Sequence, residues 1–117
     1  MDVKTLRELF RNLQWWETLY ESQGLDVLTG PDGSQYHLAD IQYLYSCRTM
    51  LSARQSQAIE LCLYQDTKER DTTLIMGVSP TNPVAMYATD GLKKIIRLIE
   101  SDSLPKYRPE RAERESA

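Results

Sequence analysis

Residues 51–100 read LSARQSQAIELCLYQDTKERDTTLIMGVSPTNPVAMYATDGLKKIIRLIE, and this stretch decides the fold. Its apolar residues recur at helical spacing in three successive segments, which predicts three amphipathic helices. Ser52 and Gln55 have the spacing of a capping box, so the first helix is expected to begin after Ser52. Its buried side is expected to include Ala58, Ile59 and residues 61–63.

Turn-forming residues set the other helix boundaries. Asp66 or Thr67 is expected to cap the second helix, and Gly77 is expected to end it. Asn82-Pro83 has the pattern of an N-cap followed by proline at the first helical position, and the third helix is expected to continue through Ile99.

The segment Gly77-Val78-Ser79 between the last two helices is typical of a helix-turn-helix. The two helices must cross steeply over a short turn, and Gly77 permits the positive φ that such a turn requires. Val78 is expected to point back into the junction. The predicted core of this unit consists of Ala58, Leu74, Val84 and Leu92.

Several marks in a fixed order link this segment to a known family. They are Leu51-Ser52 with Arg54-Gln55, the apolar run 58–61, Lys68-Glu69, Met76-Gly77-Val78-Ser79 and Gly91-Leu92-Lys93-Lys94-Ile95. With these marks the segment, about half the chain, resembles region four of bacterial sigma factors and related regulators. The chain as a whole also resembles small regulatory proteins encoded by bacteriophages of actinobacteria.

The resemblance implies a protein whose third helix enters the major groove of DNA. Phosphate contacts would come from Arg54, Lys68, Arg70, Lys93 and Lys94. Thr81, Asn82 and Tyr87 lie at or near the start of the third helix, where side chains meet base edges. Other interpretations stay open: the two late lysines complement the helix dipole, Asn82 only caps the helix, and the remaining cations are ordinary surface residues.

Two departures from the sigma pattern affect the expected DNA surface. Between Gly77 and Val84 the chain has one residue more than the usual pattern, with Pro80 and Pro83 inside it. Tyr87 and Asp90 then fall where the family commonly places arginines. An aspartate facing phosphates would repel them, so the predicted surface is poor in positive charge.

The first half of the chain does not match this family. An apolar stripe over residues 3–22 predicts one amphipathic helix that Gly24 ends. Two short apolar stretches around Gly30-Pro31-Asp32-Gly33 predict a β-hairpin. Asp40 is expected to cap a further helix over residues 41–50.

The pair Trp15-Trp16 is the unusual feature of the first helix. Adjacent helix residues point about 100° apart, so both rings cannot face the same way. One tryptophan is therefore expected to be exposed and to form a partner or dimer surface. The other interpretation is that both belong to the core.

Charge and composition exclude several classes of protein. The net charge is −3; residues 1–51 carry four basic and seven acidic side chains, and residues 52–100 carry six of each. DNA affinity would therefore depend on local clusters of Lys and Arg. No apolar run approaches the roughly 20 residues of a membrane helix, and the N-terminus lacks the pattern of a secretory signal. We expect a cytoplasmic protein that does not enter a membrane.

Chemistry-bearing motifs are not recognisable in the sequence. Cys47 and Cys62 lie in apolar helical patterns and are expected to be reduced thiols, and His37 completes no metal-site spacing. There is no nucleophile motif, glycine-rich phosphate loop or paired-carboxylate signature. We expect no metal, no cofactor and no enzymatic activity.

The sequence thus predicts a mainly α protein, a helical bundle with a short β-hairpin and a C-terminal tri-helical helix-turn-helix. Residues 1–50 would pack on the helix-turn-helix of residues 51–100, and a disordered tail would follow over residues 101–117, where prolines and mixed charges dominate.

The favoured function is a DNA-binding transcription regulator. Its partners would be double-stranded DNA and, through the first half of the chain, RNA polymerase or a second copy. Two alternatives stay open: a protein-interaction module with little DNA affinity, and a small DNA-packaging subunit.

Overall fold

The computed structural model describes residues 1–78 and 83–104, and this part of the chain is mainly helical with one two-stranded antiparallel hairpin. The elements in chain order are α1 (Val3–Arg11), α2 (Leu13–Gln23), β1 (Val27–Thr29), β2 (Gln35–His37), α3 (Leu38–Ser46), a 3-10 turn (Cys47–Met50), α4 (Ala53–Ile59), a π-helical turn (Glu60–Tyr64), α5 (Glu69–Met76) and α6 (Val84–Glu100).

The N-terminal helix predicted over residues 3–22 is divided into two. Asn12 leaves helical geometry with φ −97° and ψ 0°, and its side chain donates a 3.0 Å hydrogen bond to the carbonyl of Glu8. Such a local side-chain bond competes with the helical pattern, which explains the break that apolar periodicity did not show. Gly24 ends α2 with φ 71°, as predicted.

The predicted hairpin is confirmed, with Leu28 opposite Tyr36 in its register. Gly33 adopts φ 82° in the connecting turn. The prediction that Asp40 caps the next helix is wrong, because α3 already begins at Leu38, directly after β2. The amide of Leu38 instead donates a 2.8 Å hydrogen bond to the carbonyl of Asp26. Residues 47–50, predicted as α-helix, form the 3-10 turn.

The capping box that begins α4 is confirmed in both of its bonds. The amide of Gln55 donates to Ser52 Oγ at 3.1 Å, and the amide of Ser52 donates to Gln55 Oε1 at 3.2 Å. These reciprocal bonds satisfy two backbone donors that the helix itself leaves free. The helix then widens into the π-helical turn, which buries Leu61 and Leu63 and leaves Cys62 half-buried.

Two of the predicted boundaries around α5 and α6 are wrong. Lys68, rather than Asp66 or Thr67, occupies the N-cap position of α5, because Asp66 takes φ 51° where the preceding π-helical turn ends. Pro83 lies at the N-cap position of α6 rather than inside the helix. Gly77 ends α5 with φ 63°, as predicted, whereas Asn82, its predicted capping role and the tail beyond residue 104 lie outside the described residues.

A continuous apolar core joins the two halves of the chain, with α1 packed against α6 and the π-helical turn. Ala58, Val84 and Leu92 are fully buried or nearly so, as predicted, and Val78 is buried at the end of α5. Leu74 was expected in this core but is 73% exposed. The reason is the register of α5: Thr72 is the fully buried residue, and Leu74 lies about 200° around the helix from it.

Candidate nucleic-acid interface

Helix α6 presents its charged side chains on the face that points away from the core. Val84, Ala88, Leu92 and Ile95 form its buried side. The exposed side chains of the opposite face are Met86, Asp90, Lys93, Lys94, Arg97 and Glu100. The two predicted phosphate contacts Lys93 and Lys94 therefore lie in solvent, and Arg97 adds a third cation that the sequence reading missed. The sequence could have shown this third cation, because Arg97 lies one helical turn after Lys93 and Lys94.

Arg54 and Tyr87 are joined by a contact between α4 and α6. Arg54 Nη1 donates a 3.2 Å hydrogen bond to Tyr87 Oη, and the guanidinium carbon lies 5.8 Å from the centre of the Tyr87 ring. Arg54 is exposed, whereas Tyr87 is half-buried and packs against the core. The structure thus brings together two of the residues predicted to contact DNA, and holds a cation beside the first half of α6.

Lys68 and Arg70 are exposed at the start of α5. Glu69 and Asp71 occupy the same first helical turn, where negative charge is favoured by the helix dipole. The alternation of sign leaves this end of α5 close to neutral, so any phosphate contact made here is weak. The predicted base contacts Thr81 and Asn82 lie outside the described residues.

A second contact holds α6 on its other side. Arg7 Nη2 of α1 donates a 2.8 Å hydrogen bond to Thr89 Oγ1 of α6, across 82 positions of sequence. Lys4 and Arg11 lie on the same helix at spacings of three and four from Arg7. This spacing places three cations on one face of α1, and the sequence could have shown it, although no DNA contact was predicted in this half of the chain.

The tryptophan pair divides as expected, with one ring exposed. Trp15 is 57% exposed and Trp16 is half-buried against the core. Their ring centres are 5.0 Å apart in an edge-to-face arrangement, a favourable geometry for aromatic pairs. Trp15 remains the candidate partner contact on α2, while Trp16 contributes mainly to packing.

A polar cluster joins α2, α3 and the π-helical turn. Glu17 accepts hydrogen bonds from Tyr64 Oη at 2.6 Å and from Gln42 Nε2 at 2.7 Å. The bond to Glu17 is the main cause that raises the pKa of Tyr64 to about 12. Burial raises the pKa of the neighbouring Tyr45 to about 12. The guanidinium of Arg48, which lies 4.3 Å from the centre of the Tyr45 ring, opposes this rise. This cluster fixes the helices of the first half against α4 and its continuation.

The cysteines are not joined to each other, and burial raises the pKa of both thiols. Within residues 1–78 and 83–104, no three His, Cys, Asp or Glu side chains lie close enough to hold a metal ion together. Across the same residues, no helix has the length and apolar content needed to span a bilayer.

No protein-family model, curated protein or solved structure matches this chain.

Proposed function

We propose that this chain is a helix-turn-helix DNA-binding regulator in which α6 enters the major groove and α4 and α5 support it. The observation that carries the proposal is the α5–α6 junction. Gly77 ends α5 in the left-handed conformation, and buried Val78 follows it. Fully buried Val84 then begins α6. A glycine that ends the first of two helices in mutual contact supports a helix-turn-helix.

Charge on the outer surface supports the same proposal. Arg54, Lys93 and Lys94 are exposed cations on α4 and α6, available to phosphates on the rim of a groove. Met86, at the start of α6, carries no hydrogen-bonding group for base edges. Affinity would come mainly from phosphates, with base reading left to Thr81, Asn82 and Tyr87. Contact with RNA polymerase belongs to the proposal through the resemblance to sigma factors.

A second candidate function is a protein-interaction module on the same scaffold. Three large apolar side chains of α5 and α6 favour it: Leu74, Ile75 and Met86 are 73%, 59% and 55% exposed. Exposed apolar groups of this size are typical of protein contacts. Asp90 and exposed Trp15 also favour this candidate, because neither assists contact with a phosphate backbone.

Binding of the purified full chain to mixed genomic duplex fragments at low and moderate salt separates the two candidates. A regulator should bind, recover a consensus sequence and lose affinity by about 0.9 log units per log of salt for each neutralised phosphate. Absence of binding even at low salt would reject the regulator and leave the interaction module.

A further inference from the structure

An open groove of about 990 Å³ lies beside α6, between α1 and the segment that leads into α5. One wall carries Lys4, Arg7 and Arg11, and the other carries Lys68. The part contributed by α6 consists of the short side chains Ala85, Ala88 and Thr89, which leave the space between the walls free. The groove is therefore lined by cations from two separate elements and by the first half of the proposed recognition helix.

Acidic residues reduce the charge of this groove without cancelling it. Glu8, Asp66 and Glu69 also line it, against four cations. Glu8 is paired with Arg11, whose Nη1 lies 3.3 Å from Glu8 Oε1. The two side chains of that pair are 42% and 37% exposed, and surface pairs contribute little, so a phosphate can replace the carboxylate as the partner of Arg11.

Two hydrogen bonds show where this groove lies relative to the outer face of α6. Thr89 is bound by Arg7 of α1, and Tyr87 is bound by Arg54 of α4. Residues two positions apart on a helix point about 200° apart, so these bonds hold α1 and α4 on opposite flanks of α6. The exposed face with Lys93 and Asp90 lies between the two flanks. Cations thus border the outer face of α6 on both sides.

A helix in the major groove meets a phosphate strand on each side of a gap about 12 Å wide. We infer that the groove between α1 and α6 receives the backbone of one DNA strand, with Lys4 and Arg11 as phosphate contacts, while Arg54 and Lys94 serve the other strand. Arg7 is a positioning residue, because its bond to Thr89 fixes α1 against α6. This inference rests on the proposed function and extends the DNA surface to the first half of the chain.

The experiment compares two full-length variants with the same change in net charge. Lys4→Ala with Arg11→Ala removes the two exposed cations and leaves Arg7 in place. Gln14→Glu with Gln23→Glu, at exposed positions of α2 outside the groove, is the matched control. Binding to a duplex that carries the recovered consensus sequence is measured from low to moderate salt. Circular dichroism checks that helical content is unchanged.

Loss of two phosphate contacts should flatten the slope of log affinity against log salt by about 1.8, at 0.9 per phosphate. The loss should be similar for consensus and unrelated duplexes, since phosphate contacts carry no sequence information. An unchanged slope in the alanine variant, or an equal change in the control, would overturn the groove assignment while the unaltered chain still binds DNA. Failure of the unaltered chain to bind would overturn both this inference and the proposed function.

Discussion

Gly91 of α6 faces the end of the Ile59 side chain in the core: a Cβ at Gly91 would lie 2.8 Å from Ile59 Cδ1 and 3.3 Å from Gln55 Cβ. Ile59 is fully buried, so it has little room to move. Alanine gains about 1 kcal/mol over glycine in a helix, but overpacking a core costs about 1–3 kcal/mol. We expect Gly91→Ala to lower the free energy of unfolding by about 1 kcal/mol, measured by urea denaturation.

The matched control is the same substitution in an Ile59→Val background. Valine lacks Cδ1, so the added methyl group loses its closest contact, while those with Leu51 Cδ1 at 3.2 Å and Gln55 Cβ at 3.3 Å remain. Gly91→Ala should therefore cost less in that background than in the original chain. If its cost is the same in both backgrounds, the contact with Ile59 is not the cause.

The capping box of α4 gives a second stability prediction. Ser52→Ala removes the oxygen that accepts from the Gln55 amide and should cost about 1 kcal/mol of unfolding free energy. Ser56→Ala, the same change inside the same helix, is the control, and there the propensity of alanine should leave stability unchanged or slightly raised. Equal effects at the two positions in urea denaturation would argue against the cap.

Local signals in the sequence were enough to predict much of this fold. The capping box, the left-handed glycines Gly24 and Gly77, and the hairpin turn each depend on neighbouring residues, and each is confirmed. The break at Asn12 depends on one side chain bonding to its own helix, which periodicity does not register. The register of α5 was missed for another reason: packing against the rest of the chain decides whether Thr72 or Leu74 is buried.

The candidate site was less predictable because its contacts join distant parts of the sequence. Arg54 and Tyr87 could be named separately, but their hydrogen bond spans 33 positions and appears only in the folded chain. Lys4, Arg7 and Arg11 were not predicted at all. They lie in residues 1–50, where no DNA contact was predicted, and only the packing of α1 against α6 places them beside the proposed recognition helix.

Alkaline pH should weaken the polar cluster around Glu17. The pKa of Tyr64 and that of Tyr45 are raised from 10.0 to about 12, so folding favours the protonated phenols. Their contribution to stability is complete below pH 10 and is lost as pH rises through 12. We expect the free energy of unfolding to fall over this range, and Tyr64→Phe to remove part of the fall. Tyr20→Phe, at an exposed ring, is the control. An unchanged pH profile in Tyr64→Phe would show that its bond to Glu17 does not govern this loss.

Charge reversal on the outer face of α6 tests the groove-facing assignment. Lys93→Glu with Lys94→Glu should abolish duplex binding, because the new carboxylates would face phosphates, and helical content should stay intact because both positions are exposed. Glu100→Gln with Asp102→Asn removes two acidic charges near the end of the same helix. This variant is the control for the effect of a double substitution in this region on folding. Unchanged DNA binding by the charge-reversed variant, seen in the same titration, would place DNA on another surface.

Asp90 separates the two candidate functions most directly. It is exposed on α6 between the flank held by Arg7 and the flank held by Arg54. If this face meets DNA, Asp90→Arg replaces a repulsive charge by an attractive one, and affinity for duplex should rise at low salt with a slope steeper by about 0.9 for one new phosphate contact. Asp90→Asn removes the repulsion without adding a contact, so its affinity should lie between those of the original chain and the arginine variant. Equal affinity of all three in a salt titration would mean that this face does not meet DNA. The exposed side chains Leu74, Ile75 and Met86 would then favour a protein partner.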